Sequence, residues 1–589
     1  MIRMNILGVS GLYHDSAACL LKNGKISAAA EEERFTRKKH DNSFPINAIN
    51  FCLKQGNIAI DDVDYIAFYE KPIMKFDRIL NSHLETFPKS FWTFFKTMPS
   101  WLNEKLRIPS MVRKKLGYDG EILFIDHHLA HAASTFLVSP FKKAAILTVD
   151  GVGEWATTTW GYGEGNKIIL LKEIHFPHSL GLLYSAVTTY LGFKANNDEY
   201  KIMGLAPYGK PTHLNKFKEV VDIRGDGSYN LDMDYFVYHY RLSMPSKKFI
   251  EEFGPARKPK SPIDQRHKDI AASLQTILEE ILFKMLNHLH RKTKCSNLCM
   301  AGGVALNSSA NGKIVRNTKF KKVFVQPAAS DAGGSLGAAF YVYNTILGKK
   351  RDYVMDHAYL GSEFSSDEIR NYLKKNKIKF KEFNNEDHLI EKTAKLVFEN
   401  KIVAWFQGRM EWGPRALGNR TILANPCNPD MKDILNKRVK HREEFRPFAP
   451  SVLFEEQKKY FETGEYLPFM LFTHPIKKKM RKKIPSVTHV NGTGRLQSVT
   501  TELNPKYYKL IKNFEKLSRV PVILNTSFNI KGEPIVCTPE DAYRCMMGTG
   551  IDYVVMDRFL IARKDNSRDA WDSSEISKKF VPKSNITFA

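Results

Sequence analysis

At 589 residues the chain exceeds the size at which a single hydrophobic core stops growing, so two or three domains are expected. A hydrophobic share of 43% and a charged share of 26% exclude a disordered, collagenous or repeat-array polypeptide. The 89 Lys and Arg against 63 Asp and Glu leave a net charge of +26, shared about equally between the two halves, which admits DNA as an anionic partner. A lysine-rich composition painting every surface basic would give the same number.

No stretch reaches the eighteen or so uninterrupted apolar residues of a membrane span. In the opening MIRMNILGVSGLYHDSAACLL, His14 and Asp15 interrupt the only segment resembling a signal peptide. A cytoplasmic protein with no membrane partner is therefore expected. Seven scattered cysteines without a C-x-x-C pair read as buried thiols rather than a disulfide framework.

Residues 5–21 read as an apolar strand, a polar turn carrying His14 and Asp15, and a second strand ending at the turn Lys22-Asn23-Gly24-Lys25. Further strands are predicted at 65–69, 122–125 and 144–149, and helices at 129–137 and 270–289. The alternation predicts an α/β fold. Residues 71–118 differ in character: Phe91, Trp92, Phe94, Phe95 and Trp101 are interleaved with ten basic and three acidic residues, as in an insertion. The run GKKRDYVMDH near Gly348 breaks the pattern and sets a domain boundary at 350/351. Farther on, KKKMRKK at 477–483 reads as a solvated loop.

Within IDHHLAHAAS, His127 and His131 stand one helical turn apart, so both imidazoles can reach one ion. Asp150 ends the apolar run AAILTVD, a strand-end position where α/β sheets hold ligands. Asp331 opens SDAGGSLGAA, where it would cap a helix with amides exposed by glycines. Two imidazoles and two carboxylates suit one divalent transition metal with an open position, iron or zinc. Gly302 and Gly303 with Asn307 in AGGVALN, and Gly333 and Gly334 in DAGGSLG, follow apolar strands. Glycine lets backbone approach a phosphate closely, and each segment alone is equally a tight turn; the pair suggests a nucleotide, with Mg accompanying it.

In the second half, EWGPRALGNRTIL carries Arg415 and Arg420, KHREEFRPFAPS carries Lys440, Arg442 and Arg446, GTGRLQSV carries Arg495, and LNTSFN carries Asn525, Thr526 and Ser527. Guanidinium forks match the paired oxygens of phosphate or carboxylate. Surface arginine is the plainer reading, but these cations sit among Trp412, Pro414, Leu417, Phe445, Pro447 and Phe448.

HHLAHAAS, FPHSLGLLYSA, EYKIMGLAPYG, GGVALN, SDAGGSLGAA, GPRALGNRTIL, FRPFAPSV and NTSFN together resemble the NodU/CmcH/TobZ-type O-carbamoyltransferase family, in family order over nearly the whole chain. The resemblance implies a two-lobed ASKHA domain, actin- and Hsp70-like and Kae1-like, at 1–350, and an α/β YrdC-like domain at 351–589. It implies ATP and carbamoyl phosphate as co-substrates, carbamoyl-adenylate as intermediate, and transfer to an acceptor hydroxyl. By motif it assigns His127, His131, Asp150 and Asp331 to a metal, iron in the family. It assigns Arg415, Lys440, Arg495 and Ser527 to carbamoyl phosphate, with Arg415 and Lys440 catalytic, and Gly302, Gly303, Asn307, Gly333 and Gly334 to the nucleotide. His14 falls at the acceptor end as a catalytic residue.

The acceptor itself is not legible, since 71–118 and 245–269 match no pattern. The net charge makes a hydroxymethylpyrimidine in DNA one candidate, beside a sugar or antibiotic hydroxyl. A tRNA threonylcarbamoyl-adenosine enzyme would use the same two folds and welcome the charge. A nucleotide-switched binding protein without transfer chemistry would not need the arginine pocket.

Overall fold

The computed structural model describes residues 4–566. They fall into two compact units: one runs to Glu32 and from His40 to Met355, the other takes Glu33–Lys39 and the chain from Asp356 on. A single cut near residue 350 therefore misses the short helix Glu33–Thr36, which belongs with the second unit.

The first unit holds two five-stranded sheets of identical strand order. In one, β1 (Asn5–Ser10), β2 (Ala17–Lys22) and β3 (Lys25–Glu31) form an antiparallel meander, and β4 (Tyr65–Phe68) and β5 (Glu121–Phe124) add in parallel beyond β1. In the other, β6 (Lys143–Val149), β7 (Ala156–Glu164) and β8 (Lys167–His175) form the meander, and β9 (Asn297–Ala301) and β10 (Lys322–Val325) add in parallel beyond β6. The runs NILGVS and AAILTV are continuous rather than alternating because both faces of β1 and nearly all of β6 are buried.

Two helices rich in small residues lie in this unit, His127–Phe136 and Asp331–Phe340. A Cβ at Gly337 would collide with the Ala130 carbonyl, and one at Gly8 with the Ser335 carbonyl. Glycine thus allows backbone-to-backbone approach, which brings residue 331 up to the face of the helix carrying His127 and His131. Residues 71–118 form the crossover from β4 to β5 as three helices, Pro72–Glu85, Phe91–Asn103 and Ile108–Leu116. Ile79, Met98 and Trp101 make a small core beneath them.

The second unit is built on an eight-stranded mixed sheet ordered β11-β18-β17-β12-β13-β16-β14-β15. In chain order these are Lys381–Glu382, Val403–Phe406, Arg420–Ala424, Ala449–Leu453, Gln497–Val499, Val522–Ser527, Tyr553–Met556 and Phe559–Ala562, β11 to β18. Helices Glu386–Phe398 and Pro505–Ser518 supply Leu389, Ile390, Tyr507 and Phe514 to a core shared with Trp405, Leu423 and Ile523. The basic run 477–483 is not a plain loop: it contains the helical turn Lys478–Arg481, whose Arg481 Nε–H donates back to the Ile476 carbonyl (3.0 Å).

Candidate active site

The helix His127–Phe136 presents His127 and His131 on one face, with ring centroids 4.5 Å apart. Asp150 follows the end of β6, and Asp331 is the first residue of its helix, with Ser330 and not Asp331 at the cap position. His127 Nε2 lies 3.1 Å from Asp150 Oδ2 and 3.8 Å from Asp331 Oδ1; His131 Nε2 lies 3.4 and 3.6 Å from the same atoms. One ligand atom from each of the four falls within 4.8 Å of all the others. All four side chains are nearly or fully buried.

Three observations test whether a metal fits. His131 Nε2 is buried without a hydrogen-bond partner, although it faces two carboxylates. Burial opposes charge on His131, yet the two carboxylates carry its pKa up to about 9. Burial likewise opposes charge on Asp150, and the histidines hold it well below the carboxylate range. A divalent cation would satisfy the same donors without a buried imidazolium, and the mixed nitrogen and oxygen set suits a transition ion such as iron or zinc.

The intervening His128 is different. Its Nε2 faces the Ala156 carbonyl (2.9 Å), so it donates there, and Nδ1 accepts from the Thr148 hydroxyl (2.6 Å). It is a satisfied core histidine. Glu154 was not legible from sequence: its carboxylate accepts the N–H of His127 (3.0 Å) and of Lys71 (2.8 Å), capping the helix that bears both ligands. No spacing signals a cap donated from a loop following another strand.

The glycine segments serve this geometry. Gly302 is in the left-handed region (φ 92°), where a Cβ would meet the Val149 carbonyl. The Gly303 N–H donates to Asp150 Oδ1 (2.7 Å) and fixes that carboxylate. Asn307 caps its own turn at Ala310 N (3.1 Å) and exchanges hydrogen bonds with Gln275. Gly333 and Gly334 are buried, a Cβ on one striking Gln326 and Ala328 and on the other Tyr69, and the Gly333 N–H is taken by the Ser330 carbonyl (2.9 Å). The Gly333 amide is thus already satisfied, and packing by itself requires both glycines.

His14 belongs to a second cluster that sequence reading did not assemble. Asp15 accepts from His14 Nδ1 (3.1 Å), His40 Nδ1 (2.7 Å) and the Ser330 hydroxyl (3.2 Å). His14 Nε2 faces the Asn196 carbonyl (2.6 Å), so both ring nitrogens meet acceptors and the ring is an imidazolium. Burial alone would lower its pKa, but Asp15 pushes it up to about 10. Ser330 ties this cluster to the neighbour of Asp331.

In the second unit Arg415, Arg442 and Arg446 surround Arg495. Burial, then these three charges in that order, hold Arg495 well below the usual arginine range. Its Nε is buried without a hydrogen-bond partner, and among the described residues no carboxylate pairs with it. Arg446 also meets Glu443 (3.5 Å), so the group that suits a phosphate here is Arg495, a buried guanidinium among like charges. Lys440 and Ser527 come together, though as a structural pair: the Lys440 ammonium donates to the Ser527 carbonyl and to Asn529 O (3.0 Å) and Oδ1 (2.9 Å). Arg420 is also spoken for, fully buried with its guanidinium on the Gln407, Gly408 and Ser362 carbonyls.

Glu411 organises the loop bearing Arg415. Its Oε1 accepts from the N–H of Leu417 (2.8 Å), Asn419 (2.8 Å) and Arg420 (3.0 Å). Glu411→Ala is expected to orphan all three and destabilise the fold by about 3 kcal/mol or more, read as a drop in urea midpoint. A midpoint within error of the parent would show that water replaces the carboxylate.

Comparison with known proteins gives the family. Residues 5–340 match the family model described as the carbamoyltransferase N-terminus, and residues 394–563 match the carbamoyltransferase C-terminus. "Uncharacterized protein sll1178" of Synechocystis sp. is 46% identical, covering 95% of this chain and 97% of its own. "Nodulation protein NolNO" of Sinorhizobium fredii is 37% identical, covering 96% and 81%. Among solved structures, component A of the Acidaminococcus fermentans (R)-2-hydroxyglutaryl-CoA dehydratase aligns at TM-score 0.33 and 13% identity, over 57% of this chain and 97% of that one, too distant to bear on the fold. With both halves matched in order, the chain belongs to the carbamoyltransferase family and is a carbamoyltransferase enzyme.

Proposed function

We propose that the enzyme is an ATP-dependent O-carbamoyltransferase working through carbamoyl-adenylate. The reading rests on the two carbamoyltransferase family models matched in order, and is supported by the buried, unpartnered Nε of Arg495 beside the charges of Arg415, Arg442 and Arg446. Water cleaves carbamoyl phosphate there to carbamate and phosphate; a carbamate oxygen then attacks the α-phosphorus of ATP, and pyrophosphate leaves. The acceptor oxygen then attacks the carbamoyl carbon, AMP departs, and the hydroxyl proton is released. Carbamate is a poor electrophile, and the mixed anhydride supplies the leaving group.

The duplicated sheets support assigning the first unit to the ASKHA class, with ATP and Mg near Gly302, Gly303 and Asn307. A YrdC-like identity for the second unit follows from the resemblance. His127, His131, Asp150 and Asp331 would hold one ion, iron by family resemblance, which when bound polarises a carbonyl or phosphoryl oxygen. His14, with both ring nitrogens engaged by Asp15 and the Asn196 carbonyl, would serve the acceptor only by giving up one of these bonds.

The test is incubation of the purified enzyme with carbamoyl phosphate and ATP. Pyrophosphate release that requires both is expected; none above background would remove the adenylate from the pathway. A mass-spectrometric acceptor screen should set hydroxymethylpyrimidine DNA, the acceptor we propose from net charge, beside sugars, nucleosides and aminoglycosides. Carbamoylation confined to a neutral sugar would overturn the DNA acceptor while leaving the chemistry intact.

A further inference from the structure

The helix Phe91–Asn103 is apolar on two opposite sides. Met98 and Trp101 face inward onto Ile79, and the Thr93 hydroxyl donates to the Tyr240 carbonyl (2.9 Å), so its rotation about its axis is fixed. Outward, Trp92 is 77% exposed, Phe95 70% and Leu102 53%, with Pro99 also exposed. Positions 92, 95, 99 and 102 are spaced by three and four residues, one stripe along the helix. Phe91 packs edge-on against Trp92 (5.4 Å); the end of the preceding helix adds exposed Leu84, and the turn between the two helices adds exposed Phe87. An exposed apolar ridge of this size marks an interaction site. Lys89, Lys96 and Arg107 are exposed around it, and Arg113, Lys114 and Lys115 on the following helix.

We propose that this ridge docks the enzyme on an anionic lipid surface. No described helix is long and apolar enough to cross a membrane, but a helix lying in the interface needs only one apolar face with cations beside it. The expectation of no membrane partner came from the lack of a span and does not reach this case. Three kinds of side chain share the ridge, and a bilayer accommodates all of them: aliphatic Leu84 and Leu102 at the acyl boundary, Trp92 at headgroup level, lysines on headgroup phosphates. Nucleic acid would engage the lysines and the rings but leave the leucines without a partner. A second copy would set the same basic segment of a +26 chain against itself.

The experiment is sedimentation of the full chain with phosphatidylcholine vesicles, with and without phosphatidylglycerol. Expected is binding that requires the anionic lipid, weakens with salt, and falls about tenfold for each aromatic removed in Trp92→Ser/Phe95→Ser. These positions are exposed, so the variant should keep the parent melting temperature and pyrophosphate release. Should it misfold, Lys89→Glu/Lys96→Glu tests the charged half of the ridge without touching its packing. No vesicle binding, or equal binding by the variants, overturns the proposal. So does a monomer–dimer equilibrium, or duplex DNA retention, that is lost in the variants while vesicles are ignored.

Discussion

Replacing both His127 and His131 by Ala is expected to drop the metal content from roughly one transition ion per chain to background and to slow carbamoyl transfer by about a thousandfold or more. The quartet offers four ligand atoms within 4.8 Å, and the double variant leaves two carboxylates with only oxygen donors for an ion that prefers nitrogen. His128→Ala is the control. It breaks the bonds to Thr148 and Ala156, so it should cost about 2 to 4 kcal/mol of stability yet keep the metal. Elemental analysis beside thermal melting separates the two outcomes. Full metal content in the double variant would place the ion elsewhere.

Arg495→Met should raise stability and destroy activity together. Arg495 sits among three like charges with a buried, unpartnered nitrogen, so an apolar side chain of similar length relieves repulsion and desolvation by about 1 kcal/mol or more. A charged contact to bound phosphate is lost with it, roughly 2 to 4 kcal/mol of transition-state stabilisation, or tens to a thousandfold in pyrophosphate formation. Lys440→Ala is expected to behave oppositely. Its ammonium holds the Ser527–Asn529 turn, so removal strands buried carbonyls and should cost about 3 kcal/mol in the fold itself. Melting curves and pyrophosphate assays on both variants decide the matter: a destabilised Arg495→Met would mean the arginine is structural.

Local chemistry written within one motif was readable. The four-residue interval separating His127 from His131, with His128 on another face, follows from helical geometry alone, and the strand-end position of Asp150 follows from its apolar run. Partners supplied by distant segments were not. His40 reaches Asp15 from RKKHD, where nothing marks it as a partner, Glu154 caps a helix from beyond β6, and Glu411 folds back on its own loop.

Gly333, Gly334, Arg420 and Lys440 show how much residue type alone leaves open. Glycine serves close approach of any kind, whether a phosphate or Tyr69 and Gln326, and a buried cation can hold backbone carbonyls as readily as an anion. The duplicated sheet order is not legible in the sequence for a related reason. NILGVS and KAAILTV share only apolar character, and strand order is a matter of which backbones pair, on which side chains leave no mark.

The sequence by itself determined the family, the two-part organisation and the residues of the buried quartet, because motifs and periodicity are local. Only the tertiary structure decided which glycines and cations are left over for ligands. It alone turned the aromatics of 71–118 into an outward ridge, since exposure is set by what the rest of the chain covers.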